Sequence, residues 1–418
     1  MLKQFKSLPL SNCSPLLLPA LFIYIAVVII MPKFGHDYDI YCWGKWAVQL
    51  KSQGFVSAYD SSSEINYLPV FLYILKGFSI LFDVDRIMPN IYLLKAITWV
   101  FDTATILLVC SLVKNESNRL RYMLFGLLNV GFFYNTIIWN QVDGILTFFI
   151  FASFYLGWHK KITASILFFV LGLNFKLQGI IFAPILLLFW LPGLTIRKAL
   201  YYTFAAVLLQ VIIVFPFLIN GNLKNVVKVA FGSVDYFQFI SMNAFNFWHL
   251  ILPGNLRYTP DNEVFILGMT HKTVGLILFC SAMCAICVPL YWRLLKALQK
   301  KMDADFGLKL MLVAMALCGY VFYYFNTQMH ERYIHPVMIF LTALAFLYRH
   351  WVLWLLVTIN YAISLEYICR YFELNNYEIL VFNPRFMALN FTIGLVMLSV
   401  IWYKTLKRDA LKNNMEPV

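Results

Sequence analysis

Charge is scarce in this chain. Lys, Arg, Asp and Glu together make up 13% of its 418 residues, acidic residues number only 20 against 33 basic ones, and 61% of the sequence is hydrophobic. Soluble globular domains carry about a quarter charged residues. A mean hydropathy of +0.74 therefore excludes that class and specifies a polytopic membrane protein. No stretch of ordinary domain size separates the apolar runs, so residues 1–418 read as a single integral membrane domain.

Other absences narrow the reading further. No small-residue cleavage site follows the first apolar run, 16–31, which with Lys3 and Lys6 before it reads as a first transmembrane helix. No Cys/His metal-ligand spacing is present. Of the eight cysteines, Cys110, Cys280, Cys284, Cys287 and Cys318 lie in apolar stretches, where a thiol acts as a small hydrophobe, and Cys284 and Cys287, three apart, read as packing residues. The net charge of +13 does not mark a nucleic-acid binder, because the basic residues fall in short runs between apolar spans, as the positive-inside rule requires.

What is present sets a topology. The basic clusters KNESNRLR (114–121), WHKK (158–161), IRK (196–198), RLLKALQKK (293–301), YRH (348–350) and KTLKR (404–408) are assigned to the cytoplasm. One polar, base-poor segment lies between each consecutive pair: NQVDG at 140, NFKLQ at 174, the long loop 220–265, HERYIHP at 330, and 370–385. Each is assigned to the outer face. Parity fails only between 67 and 113, where two apolar runs stand where one crossing is allowed. The run 67–82, interrupted by Lys76 and Gly77, is short for a bilayer of about 30 Å and is expected to lie on the outer surface. The expected fold is all-α, with about 12 spans, both termini cytoplasmic, and a first outer loop, 32–87, holding two juxtamembrane helices.

Ionisable groups then collect on one face, in GHDYDIYCWGKWA (35–47), INYLP (65–69), WNQVDG (139–144), NFKLQ and MHERYIH (329–335). Charges at a membrane boundary are costly unless paired or wet, which makes their convergence a functional expectation. Asp37 and Asp39 open an interfacial helix carrying Trp43 and Trp46, and a carboxylate there can serve as general base to an acceptor hydroxyl. Lys176 and Arg332 bring positive charge to the same side, and the guanidinium fork matches phosphate oxygens. Phosphate at an outer leaflet points to a lipid-linked substrate.

At these residues the chain resembles the GT-C glycosyltransferases, multi-span enzymes that take sugar from a polyprenyl-phosphate carrier. Within them it is most similar to bacterial mannosyltransferases related to GPI mannosyltransferase II, and next to the dolichyl-phosphate-glucose glucosyltransferases. Both have an early Asp followed seven residues on by Trp, as Asp39 and Trp46 are here. The resemblance implies Asp39 as catalytic base, with Asp37 as runner-up. The family's YPP stands here as Tyr67, Leu68, Pro69, with the first proline replaced. WNQVD, with Gln141 and Asp143, looks like the second outer acidic loop, NFKLQGIIFAP carries Lys176 and Gln178, and SMNAFNFW (241–248) resembles the long-loop motif. HERY resembles the late HE[KR], which implies that Arg332 contacts the donor phosphate while His330, Glu331 and Tyr333 surround it.

The resemblance implies transfer of a hexose, mannose ahead of glucose, from a polyprenyl-phosphate donor to a lipid-linked glycan or other hydroxyl acceptor. It implies no cofactor. The expected setting is a bacterial inner membrane ahead of the endoplasmic reticulum. Several readings compete. His330, Glu331 and His335 suggest a metal site only weakly. Lys95 and Asp102, two turns apart in one span, suggest either a buried polar link or the midplane site of a transporter or flippase of anionic substrates. A non-catalytic subunit of a glycan-assembly complex would leave Asp39 dispensable. The sequons at Asn12, Asn115 and Asn390 are expected to be unused.

Overall fold

The computed structural model describes residues 13–60, 63–232, 236–299 and 306–415, with side chains to 409. The sequon at Asn12 lies outside them. The molecule is all-α apart from four very short strands. Among the described residues six helices are long and apolar enough to cross a membrane, spanning Val84–Ser111, Ile196–Ile219, His271–Gln299, Leu308–Phe325, Trp351–Cys369 and Pro384–Asp409. Five further apolar helices of 10–17 residues accompany them. Several of the runs expected as spans are thus realised as shorter or interrupted helices.

Helix α1, Ser14–Ile30, is apolar all round. The next two helices are those expected in the first outer loop. Helix α2, Asp37–Gln53, buries Trp43, Trp46, Ala47 and Leu50, the i, i+3, i+4, i+7 stripe of an amphipathic helix. Helix α3, Pro69–Ile80, buries Phe71, Leu72, Leu75 and Phe78, and the Phe71 ring meets Trp43 edge-on at 5.8 Å. At 12 residues α3 is only about 18 Å long, too short to span. Lys76, the charge that interrupts its run, donates to the Leu50 carbonyl at 2.6 Å and so satisfies the C-terminal turn of α2. The expected loop boundary at 87 is late, because the next apolar helix already begins at Val84.

Helix α4, Val84–Asn90, leads into α5, Leu94–Ser111. Helix α6, Glu116–Leu127, and α7, Val130–Phe133, follow, and then one wide π turn over Tyr134–Ile138. That turn ends in the 139–142 loop, and α8, Asp143–Trp158, returns beside α5. Helix α9, Ile162–Leu173, pairs with α8, and a 3₁₀ turn, Leu177–Phe182, leads into α10, Ala183–Trp190. Helix α11, Ile196–Ile219, and the later α14 are the least covered spans: only 11% and 17% of their most apolar windows are buried. Between them lie α12, Leu223–Gly232, strand β1, Ser241–Met242, the short α13, Phe247–Ile251, and the β2–β3 hairpin, Val264–Ile266 with Met269–Thr270. The loop expected over 220–265 therefore contains ordered elements. Helix α14 is His271–Gln299, and α15, Leu308–Phe325, lies at the centre of the bundle with 78% of its window buried. Strand β4, Met329–His330, pairs in parallel with β1. Helices α16, His335–Tyr348, α17, Trp351–Cys369, and α18, Pro384–Met415, complete the chain.

The two buried charges of α5 do not bond to each other. Lys95 donates to three backbone carbonyls, Pro32 and Phe34 at 2.9 Å and Ile137 at 2.6 Å, while Asp102 accepts from Thr136 at 2.5 Å. Seven residues is two helical turns, so the pair shares a face, but each partner is taken by a different irregular segment. Lys95 thereby joins the end of α1 to the π turn. Cys284 is exposed on α14 and Cys287 half-buried, so the expected core packing holds at most for the second.

Replacing Lys95 by Met leaves three carbonyls without this donor, and the expected cost is about 3 kcal/mol or more. The thermal midpoint in detergent checks it. A fall no larger than that of an exposed-lysine variant such as Lys114→Met rejects the clamp.

Candidate functional site

The site starts at the entry of α2. Gly35 sits where a Cβ would meet Ile40 at 2.8 Å and Asn140 at 3.0 Å, so the chain passes close against the 139–142 loop. The His36 amide donates to the Trp139 carbonyl at 3.0 Å, and the two rings stack at 5.3 Å. This fixes the first turn of α2, where an acidic side chain also meets the positive end of the helix dipole. One oxygen of Asp39, Oδ2, accepts from Gln141 Nε2 at 2.5 Å and Trp139 Nε1 at 3.3 Å, and lies 3.2 Å from His36 Nδ1. Burial pushes the Asp39 pKa up, but the His36 hydrogen bond, the Arg332 charge and the Trp139 donor outweigh it and hold it at about 2.

The second part lies at the start of α8. Asp143 is 1% exposed and pairs with Lys176 Nζ at 2.5 Å, while its other oxygen lies 3.7 Å from Arg332 Nε. Lys176 comes from the extended residue before the 3₁₀ turn and points between the rings of Tyr67 and Tyr333, 5.4 and 5.8 Å from their centroids. Arg332 Nη1 donates to Glu331 Oε1 at 2.9 Å, with His330 Nδ1 3.5 Å away. Burial pushes Glu331 up, partly opposed by Arg332. Burial disfavours the Arg332 cation, yet Asp39, Glu331 and Asp143 more than compensate and keep it charged. Burial and the neighbouring Arg332 push His330 down, so its imidazole is neutral.

The charge balance bears on the expected phosphate contact. Asp39, Asp143 and Glu331 face Lys176 and Arg332, three carboxylates against two permanent cations, so the two cations are already engaged. An anion entering here has to compete with a carboxylate. The loosest contact is Arg332 with Asp143: Arg332 Nε and Asp143 Oδ2 face each other beyond hydrogen-bond length, and neither has a hydrogen-bond partner among the described residues. The Gln141 carbonyl and both amide atoms of Asn140 are buried and also lack such partners, and Asn140 is held at φ 68. Polar atoms buried in that way are costly, and such costs concentrate at sites that meet a ligand.

The long loop covers this cluster. Phe237 stands edge-on to His330 at 5.0 Å, and Asn243 bridges to His330. Buried Asp261 accepts from Thr327 and Gln328 at 2.8 Å each and so anchors the loop to the turn before β4.

Of the residues read from the sequence, Asp39, Gln141, Asp143, Lys176, His330, Glu331, Arg332 and Tyr333 come together. Asp37 does not: it is exposed on the first turn of α2 and makes no hydrogen bond or ion pair with the cluster among the described residues, because two positions along a helix turn a side chain through about 200°. Gln178 is half-buried on the 3₁₀ turn, also without a bond to the cluster. His335 bonds to Tyr361 instead of joining His330, and no group of three or more His, Cys, Asp or Glu among the described residues is placed to hold a metal. His36, Trp139, Asn140 and Tyr67 were missed, although each lies within or beside a quoted motif. His36, three residues before Asp39, carried the clearest signal, since i, i+3 positions meet on a helix. Glu366, buried and bonded to Tyr134, Tyr377 and the Phe372 amide, carried none.

Lys176→Met leaves the Asp143 carboxylate buried with its weaker partner alone, and destabilisation of about 3 kcal/mol is expected. Adding Asp143→Asn should recover most of that loss. A thermal-denaturation cycle reads the coupling, and strictly additive losses would dissolve the pair. Compared with known proteins, the sequence matches no protein-family model and has no significant match among curated proteins.

Proposed function

We propose that this chain is an inverting glycosyltransferase of the GT-C type. It moves a hexose, mannose ahead of glucose, from a polyprenyl-phosphate donor to an acceptor hydroxyl at the outer face of a membrane crossed about twelve times, with both termini cytoplasmic. The bacterial inner membrane is preferred to the endoplasmic reticulum. One observation carries the reading: four segments far apart in sequence, around 39, 141–143, 176 and 330–333, deliver a fixed carboxylate and two paired cations into one buried cluster.

In this mechanism the acceptor oxygen attacks the anomeric carbon as the bond from that carbon to the phosphate oxygen breaks. The electron pair stays with the leaving polyprenyl phosphate, and the acceptor proton passes to Asp39. The leaving phosphate requires no general acid. A carboxylate held at about 2 is ionised at every working pH but is a weak base, so the proton moves late, after the hydroxyl has become acidic through bond formation. Trp139, Gln141 and His36 aim Asp39 by occupying Oδ2, which leaves Oδ1 for the acceptor. As the leaving oxygens gain charge, Arg332 exchanges its distant contact with Asp143 for the phosphate, an interaction strongest in the transition state. Lys176 keeps Asp143 neutralised during that exchange.

The decisive experiment incubates purified protein with polyprenyl-phosphate-mannose and polyprenyl-phosphate-glucose in turn and follows sugar release from the lipid. Asp39→Asn should abolish transfer and Asp37→Asn should leave it near wild type, and the reverse result reassigns the base. Arg332→Lys should lower kcat by about 10²-fold, roughly the 2.7–4 kcal/mol seen for loss of one such stabilising donor. The sign of the pH dependence follows from the depressed Asp39 pKa. Its carboxylate is present above the ordinary carboxylate range and is lost only as pH falls through about 2, so kcat/KM should show no acid limb from this group between pH 5 and 8. A limb near pH 6 in the wild-type profile that persists in His330→Gln and Glu331→Gln, and so belongs to neither neighbour, would contradict the assignment.

A further inference from the structure

At the other end of α16 from the candidate site, two basic clusters that are more than 200 residues apart in sequence meet. Helix α16 has 14 residues, so His335 at one end and Tyr348 at the other are about 21 Å apart along the axis. There Asn118, Arg121, Tyr122, Phe125, Arg349 and Trp351 line an open concavity of about 360 Å³ between α6 and the entry of α17. Arg121 and Arg349 are exposed, and neither has a carboxylate partner among the described residues. Arg121 is steadied from one side by Asn118 at 3.0 Å and lies over the Tyr122 ring at 5.4 Å. Arg349 takes the left-handed conformation, φ 61, that ends α16, so its side chain leaves the helix at the rim.

Apolar side chains lie beyond the guanidiniums, and the Phe125 ring meets Trp351 edge-on at 6.3 Å. Phe125 on α6 follows Arg121 at i+4 and Leu128 caps the end of that helix, 47% and 57% exposed. On α17, Val352 and Leu355 follow Trp351, 70% and 46% exposed. Both stripes begin beside a cation without a carboxylate partner among the described residues and continue as exposed apolar side chains, with Trp351 between them, and indole rings favour a membrane interface. A free anion would use only the rim. The shape and the order of charge and apolar surface match one molecule that carries a phosphate and acyl chains.

We propose that this groove binds an anionic phospholipid of the leaflet at that end of the bundle. Its phosphate lies between Arg121 and Arg349, and one chain runs along Phe125, Leu128 and Val352. This site is separate from the candidate catalytic cluster and does not depend on the reaction proposed for it.

The test uses full-length protein in phosphatidylcholine bilayers doped with a chain-brominated lipid, with the Trp351 contribution isolated as the difference between wild type and Trp351→Phe. Brominated phosphatidylglycerol should half-quench Trp351 at a mole fraction at least about fivefold lower than brominated phosphatidylcholine, given about 1 kcal/mol per cation near a bilayer surface. The preference should vanish in Arg121→Gln/Arg349→Gln and persist in Lys160→Gln/Lys161→Gln, which removes the same charge from another basic cluster. Equal quenching by the two lipids, survival of the preference in the arginine variant, or equal loss in the lysine control overturns the proposal. Full competition by millimolar inorganic phosphate overturns it too, because the site would then take the free anion. Both arginines are exposed, so the double variant should fold, and gel filtration of the reconstituted protein verifies this.

Discussion

Asp143 is a carboxylate with 1% of its side chain exposed, in a chain built largely of hydrocarbon, and this end of the molecule is organised around keeping it neutralised. Lys176 can reach it only because α9 ends at Asn174 and the chain turns extended for one residue before the 3₁₀ turn. Arg332 can approach only because the turn after α15 returns through β4. An unpaired buried charge costs several kcal/mol, so three segments are tied to one point. Once there, Arg332 is also within the field of Asp39 and Glu331. The positions of the proposed base and the proposed phosphate contact thus follow from one buried ion pair.

The same constraint explains why the chain is irregular at this end and regular at the other. The π turn at Tyr134–Ile138, the left-handed Asn140 and the 3₁₀ turns at 177–182 and 331–334 all border the cluster. Each frees or redirects backbone groups that a continuous helix would keep to itself, and side chains take them up, as Lys95 does with the Ile137 carbonyl. At the opposite end, residues of three basic clusters lie at helix termini: Arg121 with Arg349, Tyr348 beneath Lys309, and Arg293 with Asp409. Arg121 and Arg349 are exposed there, and the half-buried Arg293 is paired with Asp409 at 3.2 Å.

Some of this was legible in the sequence. Of the two helices of the first loop, one was read from the aromatics Trp43 and Trp46 behind Asp37 and Asp39, and the other from the parity and length of its apolar run. The short run at 67–82 was excluded as a span by its length, and α3 is 12 residues long. Helix lengths were less legible: hydropathy measures how apolar a run is, and it does not register a turn that opens because a buried side chain offers its carbonyls another donor. Among the described residues six helices reach full span length, and five shorter apolar helices accompany them.

For the site, the sequence by itself determined which side chains were out of place: charges and amides embedded between apolar runs, at 39, 141–143, 176 and 330–332. Their unfavourable solvation is a property of each residue, visible without coordinates. Only the tertiary structure decided that Lys176 and Arg332 are already engaged by carboxylates, that Asp39 is aimed by His36 and Trp139 where Asp37 points to solvent, and that Lys95 and Asp102 serve separate partners. Pairing depends on distances between segments as much as 290 residues apart, from 39 to 332, and a single sequence without its fold contains no term for that distance.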